Sequence, residues 1–352
     1  MGAARAGRRP PTEVLPLADL GQGAPVTTRI GLVGAGFIAG RHVDSLTALA
    51  DVRIAGIADP VPERAGPLAE RAGATAYTSW EQLLDAERLD ALYVCVPPHA
   101  HGGVENAAVD LGLPLFVEKP LAADAGTALR LADRIAGAGL LAAVGYHWRY
   151  LDTVAQARSL LAEAPARLVV ATWLDKAPRV DWWARQDQSG GQTVEQSTHL
   201  FDVARHLVGE VEGGSAVGSR SGDGPGDILD VCTAALRFES GAVGSFSNSC
   251  LLPRGGRIGV ELVAPGLDLW LTEHTLTVVD AQGERTVERR VDPIAAEDRA
   301  FVDAVRGVGD DVRAPYAEAL RTHLLATAVA RAAVEGGPVD LGRLSAPAGS
   351  RG

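Results

Sequence analysis

The chain has 352 residues, 47% of them apolar, which is enough for a sizeable core and, by length, for two domains. Its net charge of -11 argues against nucleic acid or an anionic membrane as partner, and no apolar run reaches the roughly 18 residues of a membrane span. Arg8-Arg9 runs into Pro10-Pro11 and not into an apolar stretch, so residues 1–26 read as a disordered tail, not an export signal, and residues 343–352 read as a second tail. Cys95, Cys232 and Cys250 are too widely spaced for a metal or disulfide framework; the expectation is a cytoplasmic protein without a metal.

Thr28–Val33 reads as a buried strand, followed at once by Gly34-Ala-Gly-Phe-Ile-Ala39 and a helical pattern through His42 and Leu46. Strand, glycine turn and helix in that order form a dinucleotide-binding fingerprint. Gly34 permits the turn, Gly36 lets a pyrophosphate approach, Phe37 and Ile38 open the helix, and Ala39 keeps it close to the strand. The next strand, Val52–Ala58, ends in Asp59, placed to hold adenosine ribose hydroxyls and to repel a 2′-phosphate, so NAD is expected over NADP. Asp59-Pro60 can also be read as an ordinary turn pair.

Ala91–Val96 is a further buried strand, closed by Pro97, Pro98, His99 and His101. A helix from about Gly103 to Leu111 leads to Leu113-Pro-Leu-Phe-Val-Glu-Lys-Pro-Leu121, a strand ending in an acid, a base and a proline. Among 33 basic residues only Lys119 and Lys176 are lysines. Arginine keeps its proton, whereas burial can tune a lysine to act as acid or base. Alternating strands and helices predict a doubly wound parallel sheet, whose ligands bind outside the carboxyl ends of the strands. Gly34, Asp59, Val96, Pro97, His101, Glu118 and Lys119 all fall at or just beyond such ends. The alternative for Lys119 is a side chain that simply reaches solvent.

A helix over Asp124–Ala138 and a strand over Leu140–Val144 lead into Gly145-Tyr-His-Trp-Arg-Tyr150, where His147 and Arg149 either meet substrate or belong to an interdomain hinge. After a helix near Thr153–Ala162 the pattern becomes β-like: Arg167–Trp173, Ile228–Phe238, Ala242–Asn248, Arg257–Leu262, Leu267–Leu271 and Thr275–Val279. Helices at Ile294–Val305 and Tyr316–Glu335 close the chain. The expected division is a nucleotide-binding domain over 27–147 and an α+β domain on an open, mostly antiparallel sheet over 148–342.

Within the second half, Thr193 and Gln196 have capping-box spacing, which predicts a helix starting at Thr193 with Glu195, His199, Asp202 and His206 along one face. A carboxylate one turn from His199 orients the imidazole and raises its basicity; the alternative is a solvated face with ion pairs, one of them to Arg205. Trp173, Trp182 and Trp183 lie just before this motif and suit either the C–H faces of a sugar ring or the core.

The Gly34–Ala39 fingerprint, Asp59, Glu118-Lys119-Pro120, the Gly145–Tyr150 segment and Gly190-Gly191-x3-Glu195-x3-His199 together resemble the Gfo/Idh/MocA oxidoreductases, named after glucose-fructose oxidoreductase and inositol dehydrogenase. The resemblance spans about Thr28 to Leu341. It implies a dehydrogenase that transfers a hydride between a secondary alcohol of a sugar, cyclitol or related polyol and NAD. Lys119 and His199 would stand at the family's catalytic positions, Glu118 would anchor Lys119 or the cofactor, and His147, Arg149, Trp173 and Trp182 would line the substrate side. Glu195 departs from the aspartate usual at its position, keeping the charge and adding a methylene. The resemblance also implies homodimers or homotetramers built through the C-terminal sheet. Two other activities occur in the same family: redox-neutral glycoside cleavage or epimerisation through transient oxidation, and non-enzymatic regulation.

Overall fold

A computed structural model describes residues 27–222 and 224–341; both expected tails, and residue 342 at the expected end of the second domain, lie outside the described residues. The chain alternates β1 (Thr28–Val33), α1 (Phe37–Thr47), β2 (Val52–Ala58), α2 (Pro62–Ala72), β3 (Thr75–Tyr77), α3 (Trp80–Ala86), β4 (Ala91–Val94), α4 (Gly103–Asp110), β5 (Leu115–Val117), α5 (Ala125–Ala138) and β6 (Ala142–Val144). These strands form a parallel sheet in the order β3-β2-β1-β4-β5-β6. The order reverses between β1 and β4, which opens a crevice at their carboxyl ends. Apolar runs make these strands because both sheet faces are covered: Ile30, Leu32, Leu92, Tyr93, Leu115 and Val117 are wholly buried.

A single 3-10 turn, His147–Tyr150, leads into α6 (Asp152–Glu163) and β7 (Leu168–Leu174). Three short pieces follow: a 3-10 turn over Asp181–Ala184, α7 (Gln186–Ser189) and α8 (Gln192–Glu195). Then come α9 (Thr198–Val208), β8 (Val211–Ser219), β9 (Val231–Phe238), β10 (Val243–Ser249), β11 (Ile258–Ala264), β12 (Leu267–Leu271), β13 (Thr275–Asp280), β14 (Gly283–Glu288), α10 (Pro293–Val305), α11 (Tyr316–Glu335) and β15 (Pro338–Val339). Their sheet runs β14-β13-β12-β11-β7-β10-β9-β8-β15, antiparallel except for the parallel pair β7 and β10. Alternating burial along β9 and β10 shows one face on the core and one facing outward. The fold class expected from the sequence is the one observed.

The last helices return to the first sheet. Asp292 caps α10, accepting from the backbone N–H groups of Ile294 at 3.0 Å and Ala295 at 3.4 Å. Phe301 and Val302 of α10 share a core with Ile30, Val43 and Tyr93, while Tyr316 and Ala319 of α11 share one with Leu115 and Val144. No helix among the described residues is long and apolar enough to cross a membrane.

Two differences from the sequence reading matter. The helix expected from Thr193 onward is broken at Gln196–Ser197 into α8 and α9, and Thr193 caps nothing: its hydroxyl accepts from Asn248 Nδ2 at 3.0 Å. β8 and β14 escape a hydrophobic-pattern search, because Val211–Ser219 is Gly- and Ser-rich and Gly283–Glu288 is an almost wholly exposed, charged strand at one end of the sheet.

Candidate active site

The crevice at the ends of β1 and β4 is built for close backbone approach. Gly34 has φ +94, and a Cβ there would lie 2.2 Å from the Cys95 carbonyl oxygen, so no side chain fits the turn. Gly36 has nothing within 4 Å of where its Cβ would be, and it opens α1 with no side-chain cap, leaving free N–H groups toward the crevice. Phe37 is 85% exposed beside it, Ile38 is half-buried and Ala39 is wholly buried. At the end of β2 the Asp59 carboxylate accepts from the Ala35 N–H and from the Val61 N–H, each at 2.9 Å. The acid is thus fixed against the glycine turn. These residues fit a dinucleotide: small where the pyrophosphate would approach, donor-rich at the helix start and acidic at the ribose position.

Along the same edge, Val96 and Pro97 are half-buried at the end of β4, and His101 is buried with Nδ1 at 2.5 Å from Glu105 Oε1. Glu118 and Lys119 follow β5, and the Lys119–Pro120 bond is cis. Lys119 Nζ donates to the Glu195 backbone carbonyl at 3.0 Å and to Glu195 Oε1 at 3.1 Å. The other carboxylate oxygen of Glu195 accepts from Trp183 Nε1 at 2.7 Å. The break between α8 and α9 makes this arrangement, since it leaves Glu195 at the end of one short helix and starts His199 on the next.

His199 is buried, and its Nδ1 is sealed from solvent without a partner. Burial first, then the Lys119 ammonium, then His147, hold its pKa well below the ordinary 6.5, so the imidazole is neutral near pH 7. The rings of Trp173 and Trp148 run nearly parallel to it at centroid distances of 5.9 and 6.3 Å, and His147 meets it edge-on at 5.0 Å. His147 Nε2 lies 3.6 Å from Glu273 Oε1, and that contact holds the Glu273 carboxyl below its usual range.

The other half of the expected polar stripe goes elsewhere. Asp202, wholly buried, accepts from Arg149 Nε and Nη2, both at 2.7 Å, and from the Thr322 hydroxyl at 2.9 Å. Arg149 also donates to Glu318 and to the Arg313 carbonyl. Its guanidinium is therefore committed to a buried ion-pair network, and with His206 and Arg158 it lines a separate cavity of ≈ 570 Å³. Arg205 pairs with Glu210 and Glu318. Trp182 is half-buried beside the buried cluster of Trp183, Ile228 and Cys250.

Sequence reasoning missed Trp183 as a site residue, along with Trp148 and Glu273. The three tryptophans before the motif were a signal for the first. Nothing local marks Glu273, which sits in the turn between β12 and β13.

A nucleotide crevice at a topological switch point, carrying a lysine that meets a carboxylate and lies near a neutral imidazole from a second sheet domain, defines a nucleotide-dependent oxidoreductase. Residues 28–146 match the family described as "Oxidoreductase family, NAD-binding Rossmann fold", and residues 165–264 match the "GFO/IDH/MocA C-terminal domain". The chain belongs to this Gfo/Idh/MocA family, and NAD is its cofactor. It is 26% identical over 296 residues to the myo-inositol 2-dehydrogenase of Thermotoga maritima, covering 79% of this chain and 88% of that one. It is 27% identical over 257 residues to the levoglucosan dehydrogenase of Pseudarthrobacter phenanthrenivorans, covering 61% and 66%. A solved levoglucosan dehydrogenase in complex with NADH superposes with a TM-score of 0.82 at 23% identity, over 90% of this chain and 99% of that one.

Proposed function

We propose that the protein oxidises a secondary alcohol of a sugar, cyclitol or related polyol, with NAD as hydride acceptor and with Lys119 and His199 handling the proton. The observation that carries the reading is the Lys119–Glu195 contact at one edge of the nucleotide crevice, with the buried His199 near enough that the Lys119 charge helps to depress its pKa. The named relatives act on polyols of this kind. NAD, when bound, takes up the hydride from the carbinol carbon.

The chain's own residues do the rest. His199 accepts the hydroxyl proton; with Nδ1 enclosed, Nε2 is the nitrogen left to the substrate. The Lys119 ammonium, held by both the carbonyl and the carboxylate of Glu195, would stabilise the negative charge that develops on the oxygen as its proton leaves and that is discharged when the hydride departs. Glu195 fixes that charge in place and is itself fixed by Trp183. Trp173, Trp182 and His147 supply the walls against which a polyol packs and hydrogen-bonds, while Arg149 holds the turn that carries His147 and does not contact substrate. Gly34, Gly36, Phe37, Ile38, Ala39, Asp59, Val96, Pro97 and His101 form or support the NAD side, with Asp59 selecting against NADP, while Glu118, the other expected cofactor residue, anchors the Lys119 backbone instead.

In this reading residues 27–147 are the nucleotide domain and 148–342 the substrate and assembly domain. The outer sheet face, with Val217 66% and Val243 44% exposed, is the surface for a homodimer or homotetramer, and the enzyme works in the cytoplasm. A screen of inositols, hexoses and anhydrosugars, with NAD and NADP side by side, tests the reading. NADH accumulation with one polyol class, abolished in Lys119→Ala while NAD still binds, is the expected result. Full turnover by Lys119→Ala overturns the assignment, and turnover without net NADH points to redox-neutral chemistry instead.

A further inference from the structure

Behind Lys119 lies a buried charge cluster that the steps above leave unused. His42 of α1 is wholly buried, edge-on to Tyr93 and Phe116 at centroid distances of 5.4 and 5.0 Å. Its Nδ1 is 2.8 Å from Asp298 Oδ1 on α10, and its Nε2 is 3.1 Å from Glu118 Oε1. The second Glu118 oxygen accepts the Lys119 backbone N–H at 3.0 Å. Three elements distant in sequence thus meet in one chain of contacts that ends at Lys119.

The protonation states follow from the surroundings. Burial alone would lower the His42 pKa, but the Asp298 and then the Glu118 carboxylates outweigh it and raise it well above 6.5. His42 is an imidazolium, and both its ring nitrogens donate. The neighbouring Glu297 is pushed the other way. Burial, reinforced by the Glu118 and Asp298 charges against the opposing pull of His42 and Arg41, raises its pKa well above 4.5, and its oxygens have no hydrogen-bond partner. It is carried as a neutral acid. Such a buried ionic set adds little stability over apolar residues of the same volume. Its value lies in fixing geometry.

We propose that His42 is a positioning residue of the active site. Anchored to α10 through Asp298, it holds the Glu118 carboxylate, which through the Lys119 N–H fixes the point from which Lys119 reaches Glu195. This rests on the assignment of Lys119 to the reacting oxygen in the proposed function. Gly145 supports the clamp independently: a Cβ there would lie 2.2 Å from Glu118 Oε1, so the carboxylate fills the space of a side chain that is absent. Gly145→Ala therefore displaces Glu118 without altering His42 or Lys119.

The test uses the full chain, the polyol found by the screen, and two amides that each replace one nitrogen of His42. Gln puts its amide where Nε2 stood and keeps the donor to Glu118; Asn puts its amide where Nδ1 stood and keeps only the donor to Asp298. Both lose the imidazolium charge and one of its two hydrogen bonds, so a merely structural role affects them alike. His42→Asn and Gly145→Ala are expected to lower kcat about a hundredfold, as for a misplacement of about 1 Å at a reacting group, with NAD affinity by calorimetry unchanged within about threefold. His42→Gln is expected to keep kcat within about tenfold of the parent, as befits a retained hydrogen bond. Equal kcat for the Asn and Gln variants, or a loss confined to NAD affinity, overturns the clamp. If His42→Asn does not fold, a Gly145→Ala enzyme with parental kcat overturns it alone. Lys119→Ala, assayed beside them, separates the two claims: an active Lys119→Ala enzyme refutes the role of Lys119. An inactive one beside fully active clamp variants refutes only the role of His42.

Discussion

Trp183→Phe isolates the hold on Glu195. Trp183 is 1% exposed in a small cluster with Ile228 and Cys250, and a phenyl ring keeps most of that packing while removing the N–H. The lost bond is short, 2.7 Å from indole nitrogen to Glu195 Oε2, and charge-assisted. A hydrogen bond to a charged group contributes about 1.5–3 kcal/mol. Glu195 would then be held through Oε1 by Lys119 alone, free to swing and to carry the ammonium with it. If that orientation matters in the transition state, kcat/KM falls about ten- to a hundredfold, at one decade per roughly 1.4 kcal/mol. Initial rates of NADH formation give kcat/KM, and calorimetry gives the NAD dissociation constant, which should stay at its parental value. A fall smaller than about threefold, with Glu195→Gln equally active, would show that neither the indole nor the carboxylate orients Lys119.

Asp59→Ser removes the acid fixed by Ala35 and Val61; NAD should bind more weakly and the preference over NADP should shrink, read from kcat/KM for both cofactors. Asp202→Ala strips Arg149 of both its 2.7 Å contacts while the guanidinium stays buried. A stability loss of about 3–5 kcal/mol is expected in urea unfolding, and Arg149→Met with Asp202→Leu should recover much of it. His323 is wholly buried, and burial holds its pKa down to about 4 against an ordinary 6.5. The unfolded chain therefore binds the extra proton first as pH falls. The stability this site contributes is complete above pH 6.5 and is lost between 6.5 and about 4, on the order of 3 kcal/mol in all. A His323→Gln variant that folds should lose that segment of the thermal-midpoint profile.

The first sheet was legible because its strands are covered on both faces: Ile30, Leu92 and Val117 come from apolar runs that need no partner to be recognised. Asp59 and Lys119 followed from the rule that ligands gather at strand ends, a property of topology and not of side-chain contacts. Legibility ended where a role depends on a distant residue. Arg149 and Asp202 are 53 positions apart and Trp183 and Glu195 are 12 apart, and neither pairing has a local signature. The Gln196–Ser197 break was hidden for a related reason. Capping-box spacing at Thr193 was satisfied in the sequence, while in the fold the Thr193 and Ser197 hydroxyls are both taken by Asn248, each at 3.0 Å. Tertiary bonding outcompeted a local cap.

The return of α10 and α11 to the first sheet bears on how the protein is made. Val144 donates its N–H to the Ala314 carbonyl at 2.9 Å, and the cores around β1 and β5 are completed by Phe301, Val302 and Tyr316. Roughly 155–170 residues separate the end of β6 from these covers, or about 8–35 s of synthesis at typical elongation rates. The nucleotide-binding half thus leaves the ribosome well before its own lining exists, with Tyr93 and Phe116 short of their neighbour Phe301. A nascent chain halted before Pro293 should therefore be protease-sensitive and prone to association, although every residue proposed to contact NAD has already been translated.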